Sequence, residues 1–306
     1  MKDHQGLLRD KSTNFSKSPF FYIFLFLDFI IVNDLILCGF LKMSKKIKTA
    51  LRYIRHRVRA KSKFDLHSPF IYRIYTEILC DKSGYDEFRS IEKLRFRLLK
   101  DQGYIKISDL GAGAGDILLD HRIVPVKTVV KRFCIKPSYG QLLFRIARHF
   151  RPAVMVELGT SLGIGTIYLA MGNPQGQITT IEEYQETAAI ARKNFESLEL
   201  SNVSQVTGSC EDILPGLLQK LGKVDLIFIN GNHRGKHFLQ YFYQYLQHIH
   251  DDSVLILDDI HRSGEMEEAW KEIRNHPSVT ITIDLFRMGL VFFKEGLSKE
   301  DFILQF

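Results

Sequence analysis

Residues 154–170 read VMVELGTSLGIGTIYLA, and the fold is decided there. A short apolar run ends in an acid, Glu157. The glycines Gly159, Gly163 and Gly165 follow, and then an apolar stretch begins. The pattern predicts a strand, a glycine turn and a helix start, which together turn bare backbone N–H groups and the positive end of a helix dipole toward a ligand. Thr160, Ser161 and Thr166 supply the polar side chains of that loop. Glu157 discriminates between ligands, because a phosphate is repelled by a carboxylate whereas a cationic ligand is favoured by it. The order G-x-x-x-G-x-G also departs from the dinucleotide fingerprint G-x-G-x-x-G, which argues against a dehydrogenase.

Working outward, QITTIE (177–182) reads as a second strand ending in Glu182, placed to accept hydrogen bonds from both hydroxyls of a ribose. A helix is expected at 184–195, a strand at 202–208 leading to Ser209, Cys210, Glu211 and Asp212, and a strand at 223–230. A helix at 235–249, a strand at 253–259 and a helix at 264–275 come next, with two last strands near 279–285 and 288–294. Strands alternating with helices of this length predict a mostly parallel sheet covered by helices on both faces. The last two strands are too close for a helical crossover and must pair antiparallel. PSYGQLLFRIARHF (137–150) is the helix before the first strand of this sheet.

In this combination the chain from about 137 to 294 resembles the class I S-adenosylmethionine-dependent methyltransferases, and within them the O-methyltransferase branch that includes catechol-type and sugar-type enzymes. The resemblance implies an α/β Rossmann-like sheet with a reversed last strand. It implies S-adenosylmethionine as cofactor, held by Glu157, Gly159, Thr160, Ser161, Gly163, Gly165 and Thr166, by Glu182 at the ribose, by Cys210 and Glu211 near the adenine, and by Asn230. Gly165 stands where a small hydroxyl residue often binds the methionine carboxylate, so Thr166 or backbone N–H groups would replace it. Metal-dependent members hold Mg²⁺ after the fourth and fifth strands, here Asn230, Asp258 and Asp259. The alternative is that the two aspartates bind acceptor hydroxyls without metal. His233, His261 and Asp258 are the candidate catalytic groups, either imidazole being able to take a proton near neutrality. The expected reaction is methylation of a hydroxyl on a small acceptor. Methylation of nitrogen or RNA, and a silent cofactor-binding domain suggested by Asn230, are the alternatives.

Composition narrows the partners. Hydrophobic residues at 45% and charged residues at 25% are ordinary for a soluble chain. Cys38, Cys80, Cys134 and Cys210 show no metal spacing and suit a reduced, cytoplasmic setting. The net charge of +7 is local: residues 42–63 carry ten Lys and Arg and no acid, leaving −3 on the rest, which disfavours nucleic acid as partner. Ile47, Leu51, Ile54 and Val58 form a narrow apolar stripe on this basic helix, expected to dock on the catalytic domain, with an anionic membrane surface through residues 20–63 as the other reading. Residues 20–41 have the length of a membrane span but contain Asp28, Asn33 and Asp34. Each central Asp costs about 2.5–3.5 kcal/mol against about −0.3 to −0.6 for a large apolar residue, so the span is marginal. A start at Met43 is the competing reading. The expected plan is therefore an apolar extension (1–42), a basic and helical accessory region (43–136) and a catalytic domain (137–306).

Within the accessory region, Ser68 and Pro69 mark a helix entry whose Phe70, Ile71, Ile74 and Ile78 form a buried stripe. Another helix is expected at about 88–101. The glycine cluster in YIKISDLGAGAGD (104–116) rivals the cofactor loop, but no apolar helix follows it and the strand-like run VKTVVKRFCIK after it ends in bases. It reads as a loop near the rim of the site. Trp270, in the middle of helix 264–275, reads as core.

Overall fold

The computed structural model describes residues 45–61, 66–107, 122–230 and 235–306. The extension 1–42, the glycine cluster of 109–116 and His233 lie outside the described residues. Two units divide the chain at Arg52 and Tyr53. What is described of the first is the opening half of helix α1 (Lys45–Arg59).

The second unit, Tyr53–Phe306, is built on an eight-stranded sheet. Its strands are β3 (Val154–Leu158), β4 (Gln177–Glu182), β5 (Val203–Thr207), β6 (Leu226–Ile229), β7 (Val254–Asp258), β8 (Ile281–Asp284), β9 (Met288–Phe292) and β10 (Glu300–Ile303). Across the sheet they run β5-β4-β3-β6-β7-β9-β8-β10. All neighbours are parallel except β9, which runs antiparallel to both β7 and β8. The reversed strand is the expected one. Strand β10 was not legible in the sequence; it adds an edge parallel to β8, and the Lys61 N–H donates to its Ile303 carbonyl.

Chain connections leave β3 in opposite directions, to β4 on one side and through β6 on the other. That reversal opens a crevice beyond the strand ends, where open α/β sheets bind ligands. Successive residues of a strand face opposite sides, and the core divides accordingly. Met155, Leu226, Phe228 and Ile256 face α5 (Pro137–Phe150) and α6 (Ile164–Gly172). Val156, Ile227, Ile229, Leu255 and Leu257 face α8 (Cys210–Leu221), α9 (Gly235–Tyr245) and α10 (Gly264–Asn275), with Trp270 buried among them. Helix α7 (Gln185–Ser197) follows β4 and packs Ala191 and Phe195 into the first of these layers.

The accessory region is not a separate body. Helix α2 (Pro69–Ile74) runs on into a wider turn (Tyr75–Leu79), and α3 (Asp86–Leu99) follows. Ile71, Ile74, Ile78, Ile91 and Leu94 join the same core as Phe144 and Tyr168, so the boundary at 137 is no break in the packing. Ser68 stands at the N-cap but its hydroxyl makes no cap bond. Strands β1 (Tyr104–Ile107) and β2 (Arg122–Pro125) form a small antiparallel pair. The strand-like VKTVVKR is instead helix α4 (Val126–Arg132): its valines fall at i, i+3 and i+4, and burying that stripe outweighs their preference for strand.

Candidate active site

Strand β3 is fully buried over Met155–Leu158 and drives Glu157 into the interior, where it has no solvent exposure. Its Oε2 accepts hydrogen bonds from the hydroxyls of Thr180 (2.7 Å) and Thr166. Its Oε1 has no partner. Gly165 leaves the room: a Cβ there would lie 2.7 Å from Oε1. Burial pushes the Glu157 carboxyl up to about 8, against the pull of the two hydroxyls. Thr166 lies in this loop with its hydroxyl turned inward. It is buried against Glu157 and donates to that carboxylate. Thr160 is likewise buried, its hydroxyl 2.5 Å from that of Thr180.

The turn between β3 and α6 holds Gly159 at φ 91°, Ser161 at φ 51° and Gly163 at φ 83°. A side chain at Gly163 would also run into Phe195, at 2.5 Å. No side chain caps α6, whose N-terminus begins at this turn. Glu182, at the end of β4, closes the other wall. Its oxygens accept the N–H of Ser161 (2.7 Å) and of Tyr184 (3.1 Å). Burial outweighs these bonds and raises its carboxyl to about 7. The Cys210 thiol sits by the Gly159 N–H, and burial with the charge of Glu182 lifts it to about 12. Asn230 follows β6, its N–H donating to Leu158 (2.8 Å). Glu211 is exposed and pairs with His237 at 3.3 Å. Glu157, Glu182, Cys210 and Asn230 thus surround one loop, with Gly159 and Ser161 its accessible residues.

At the end of β7 the chain turns through Asp259 at φ 55°, facing the β8–β9 turn where Phe286 is at φ 69°. Left-handed backbone at two non-glycine residues on facing loops is stored strain of the kind found at functional sites. Between them lies Arg287. Its Nε donates to Oδ1 of Asp258 (2.9 Å) and its Nη2 to Oδ2 (2.8 Å). Nε also stands 3.4 Å from Oδ1 of Asp259, whose Oδ2 accepts from Arg262 at 2.8 Å. Burial opposes the Arg287 charge, yet the bonds to Asp258 hold its pKa above the ordinary value. Tyr139 flanks the guanidinium, its ring centroid 5.6 Å away, and burial pushes its hydroxyl up to about 12.

This geometry corrects the expectation for Asn230, Asp258 and Asp259 as a metal set. A hard divalent ion needs carboxylate oxygens free to converge on it. Here both oxygens of Asp258 are bonded to a guanidinium, and Asp259 is shared between two. The residues present do not fit the ion, and no other metal-binding group of His, Cys, Asp and Glu exists among the described residues. His261 is also corrected. Its Nε2 is 2.8 Å from Asp284 and its Nδ1 3.1 Å from Glu267, with its ring stacked on Phe286. Burial would lower it, but the two carboxylates lift it to about 9, so near neutrality it is an imidazolium with both N–H groups occupied. It has no free lone pair with which to act as a base. His56 of α1 lies 3.0 Å from the same Asp284 and Tyr53 meets Phe286 edge-on, so the part of α1 within the second unit packs by this face. Within that part, Ile54 and Val58 of the apolar stripe are 43 and 53% exposed. Arg287, Asp284, Thr180, Tyr139 and His56 were not singled out from sequence. The usable signal was Arg287, a cation in a tight turn between two buried strands.

Residues 156–260 match the family model described as a methyltransferase domain. The chain carries a methyltransferase domain. Its glycine loop, paired strand-end acids and reversed β9 are the features that carry its resemblance to the S-adenosylmethionine-dependent enzymes of the O-methyltransferase branch. The methyltransferase is 29% identical over 163 residues to a catechol O-methyltransferase of Niastella koreensis, a match covering 52% of this chain and 73% of the relative. It is 33% identical over 109 residues to the human transmembrane O-methyltransferase, covering 34% of this chain and 37% of that one. Against that second relative the chain spans well under half its length. An SAH-bound methyltransferase of Podospora anserina shares the fold, with a TM-score of 0.53 at 14% identity over 77% of this chain and all of the other. No described helix is long and apolar enough to cross a membrane.

Proposed function

We propose that this methyltransferase methylates an oxygen of a small acceptor bound over the ends of β6 and β7. The observation that carries the reading is the buried, unpartnered Oε1 of Glu157 beside Glu182: two carboxyls pushed toward neutrality by burial, which a cation and two hydroxyls would hold ionised. S-adenosylmethionine has that chemistry, and when bound it supplies an electrophilic methyl on a sulfonium sulfur for in-line transfer to oxygen. Glu182 receives the ribose hydroxyls, Gly159 and Ser161 present the loop backbone, and Cys210 borders the adenine side. The protein's share of the reaction is alignment and exclusion of water. Calorimetric titration with S-adenosylmethionine and S-adenosylhomocysteine tests the site. Glu182→Ala should weaken both by about 1.5–3 kcal/mol, as for a lost charge-assisted bond. Full affinity in Glu182→Ala together with loss in Gly113→Val would move the site to the other glycine cluster.

A second reading concerns α1, whose described residues contain Lys and Arg but no acid. With Ile54 and Val58 exposed among Arg55, Arg57 and Arg59, this face suits an anionic membrane surface. The protein should float with vesicles containing phosphatidylserine and not with pure phosphatidylcholine. Ile54→Asp/Val58→Asp should abolish flotation, and flotation unchanged by it excludes this face.

A further inference from the structure

We propose that Arg287 is the resident cation of the acceptor pocket, holding the place between Asp258 and Asp259 that a divalent ion would take and binding the acceptor as an oxyanion. The inference rests on the methyltransferase reading above. Register puts the guanidinium in the right place. Asp258 pairs with Met288 across β7 and β9, so Arg287 stands at the end of β7. Strand β7 is two strands from β3, and at about 4.8 Å per strand the cofactor loop is on the order of 10 Å away, the span of a small acceptor.

The guanidinium is rigidly anchored. The Asp258 side chain beneath it is 1% exposed and takes two parallel N–H bonds, the geometry in which arginine binds carboxylate most strongly. Its backbone is held too, with the Arg287 carbonyl accepting from Ile260 and its N–H donating to Leu285. Five N–H groups belong to a guanidinium. Asp258 takes one from Nε and one from Nη2, while no described residue accepts from Nη1. The Arg287 side chain is 18% exposed where that of Asp258 is 1% exposed.

Charge decides which ligand suits it. Asp258 and Asp259 are each paired with an arginine, in place of the open −2 site a divalent ion would require. A divalent cation would meet the guanidinium at contact distance, whereas an oxygen anion completes it. His261 is fully bonded and has no lone pair free to deprotonate a hydroxyl. The acceptor class that fits has an acidic hydroxyl: a phenol, an enol or a carboxylic acid, bound already ionised.

The test uses Mn²⁺ followed by electron paramagnetic resonance, 4-nitrophenol followed by its absorbance, and S-adenosylhomocysteine affinity as the control on each protein. The wild-type protein should leave Mn²⁺ free. Arg287→Met should gain a Mn²⁺ site that Arg287→Met/Asp258→Asn loses. With S-adenosylhomocysteine bound, the wild type should prefer 4-nitrophenolate over 4-nitrophenol, and Arg287→Met should bind the anion at least tenfold more weakly. Arg287→Lys, which keeps the charge and loses the paired bonds, should still exclude Mn²⁺ and decides the question if the Met variant does not fold. Mn²⁺ bound by the wild type and released by Asp258→Asn overturns the proposal, as does an Arg287→Met that gains no Mn²⁺ or keeps full affinity for the anion. Failure of the wild type to bind S-adenosylhomocysteine sinks the methyltransferase reading instead.

Discussion

At the ends of β3 and β4, Glu157 and Glu182 are buried with hydroxyls and backbone N–H groups as their bonded partners, whereas at the end of β7 Asp258 and Asp259 each meet an arginine. Both are pairs of acids at neighbouring ends of the same sheet, yet burial leaves the first pair short of a cation. The second pair already has its cations. An acid whose pKa is raised by burial stores affinity for a ligand that restores its charge. An acid locked to a guanidinium stores stability and positions that guanidinium. The contrast shows why strand-end carboxylates alone do not define a metal site: what faces them across the sheet determines what they can bind.

The largest expected effect is on stability. Asp258→Ala leaves Arg287 partly buried without its partner, and breaking such a pair costs about 3–5 kcal/mol. Urea unfolding with S-adenosylhomocysteine absent measures it directly. A repelling pair of metal-binding carboxylates would respond in the opposite direction, with unchanged or increased stability.

Proton linkage gives the next effect. Glu157 at about 8 and Glu182 at about 7 stand above the ordinary carboxylate range. The ligand-free fold therefore holds more protons than the unfolded chain between the ordinary range and pH 8, and these groups make it less stable as pH rises through that window. Cofactor binding restores the carboxylates and must release protons. Calorimetry in buffers of differing ionisation enthalpy should find release at pH 6.5, vanishing by pH 9.5, with affinity rising between. Release that persists undiminished in Glu182→Gln would assign it to Glu157 alone.

The smallest effect concerns His261. Raised to about 9, it contributes stability that is present below its unfolded pKa and lost as pH rises through 9. Asp284, held well below its ordinary value against burial by His261 and His56, contributes stability that is lost in acid. Imidazole NMR signals of His261 should titrate near 9, and the rate profile should carry no inflection from it near 6.5. A His261 titrating in the ordinary range would free it to act as base and would erase the difference between the two ends of the site.

Much of the cofactor end was legible because its signals are local. The strand, glycine turn and helix of 154–170 lie within one stretch, and the second acid comes at the end of the very next strand, so periodicity and spacing suffice to bring Glu157, Gly159 and Glu182 together. The helices 137–150 and 264–275 were equally readable from their apolar periodicity. Residues 126–132 were misread as strand-like because β-branched residues carry a strand preference that only packing against α3 overrides.

By itself the sequence determined the sheet with its reversed strand, the glycine loop and the acids at the strand ends, since each follows from apolar period and turn chemistry over a few residues. Tertiary structure alone decided the state of those acids. Asp258 finds Arg287 twenty-nine positions later only because β7 and β9 pair in one register, and His261 is shut between Asp284 and Glu267 only because the end of β8 and the first turn of α10 both reach it. Pairing, burial and charge at such sites depend on which chain segments meet, and no local pattern encodes that meeting.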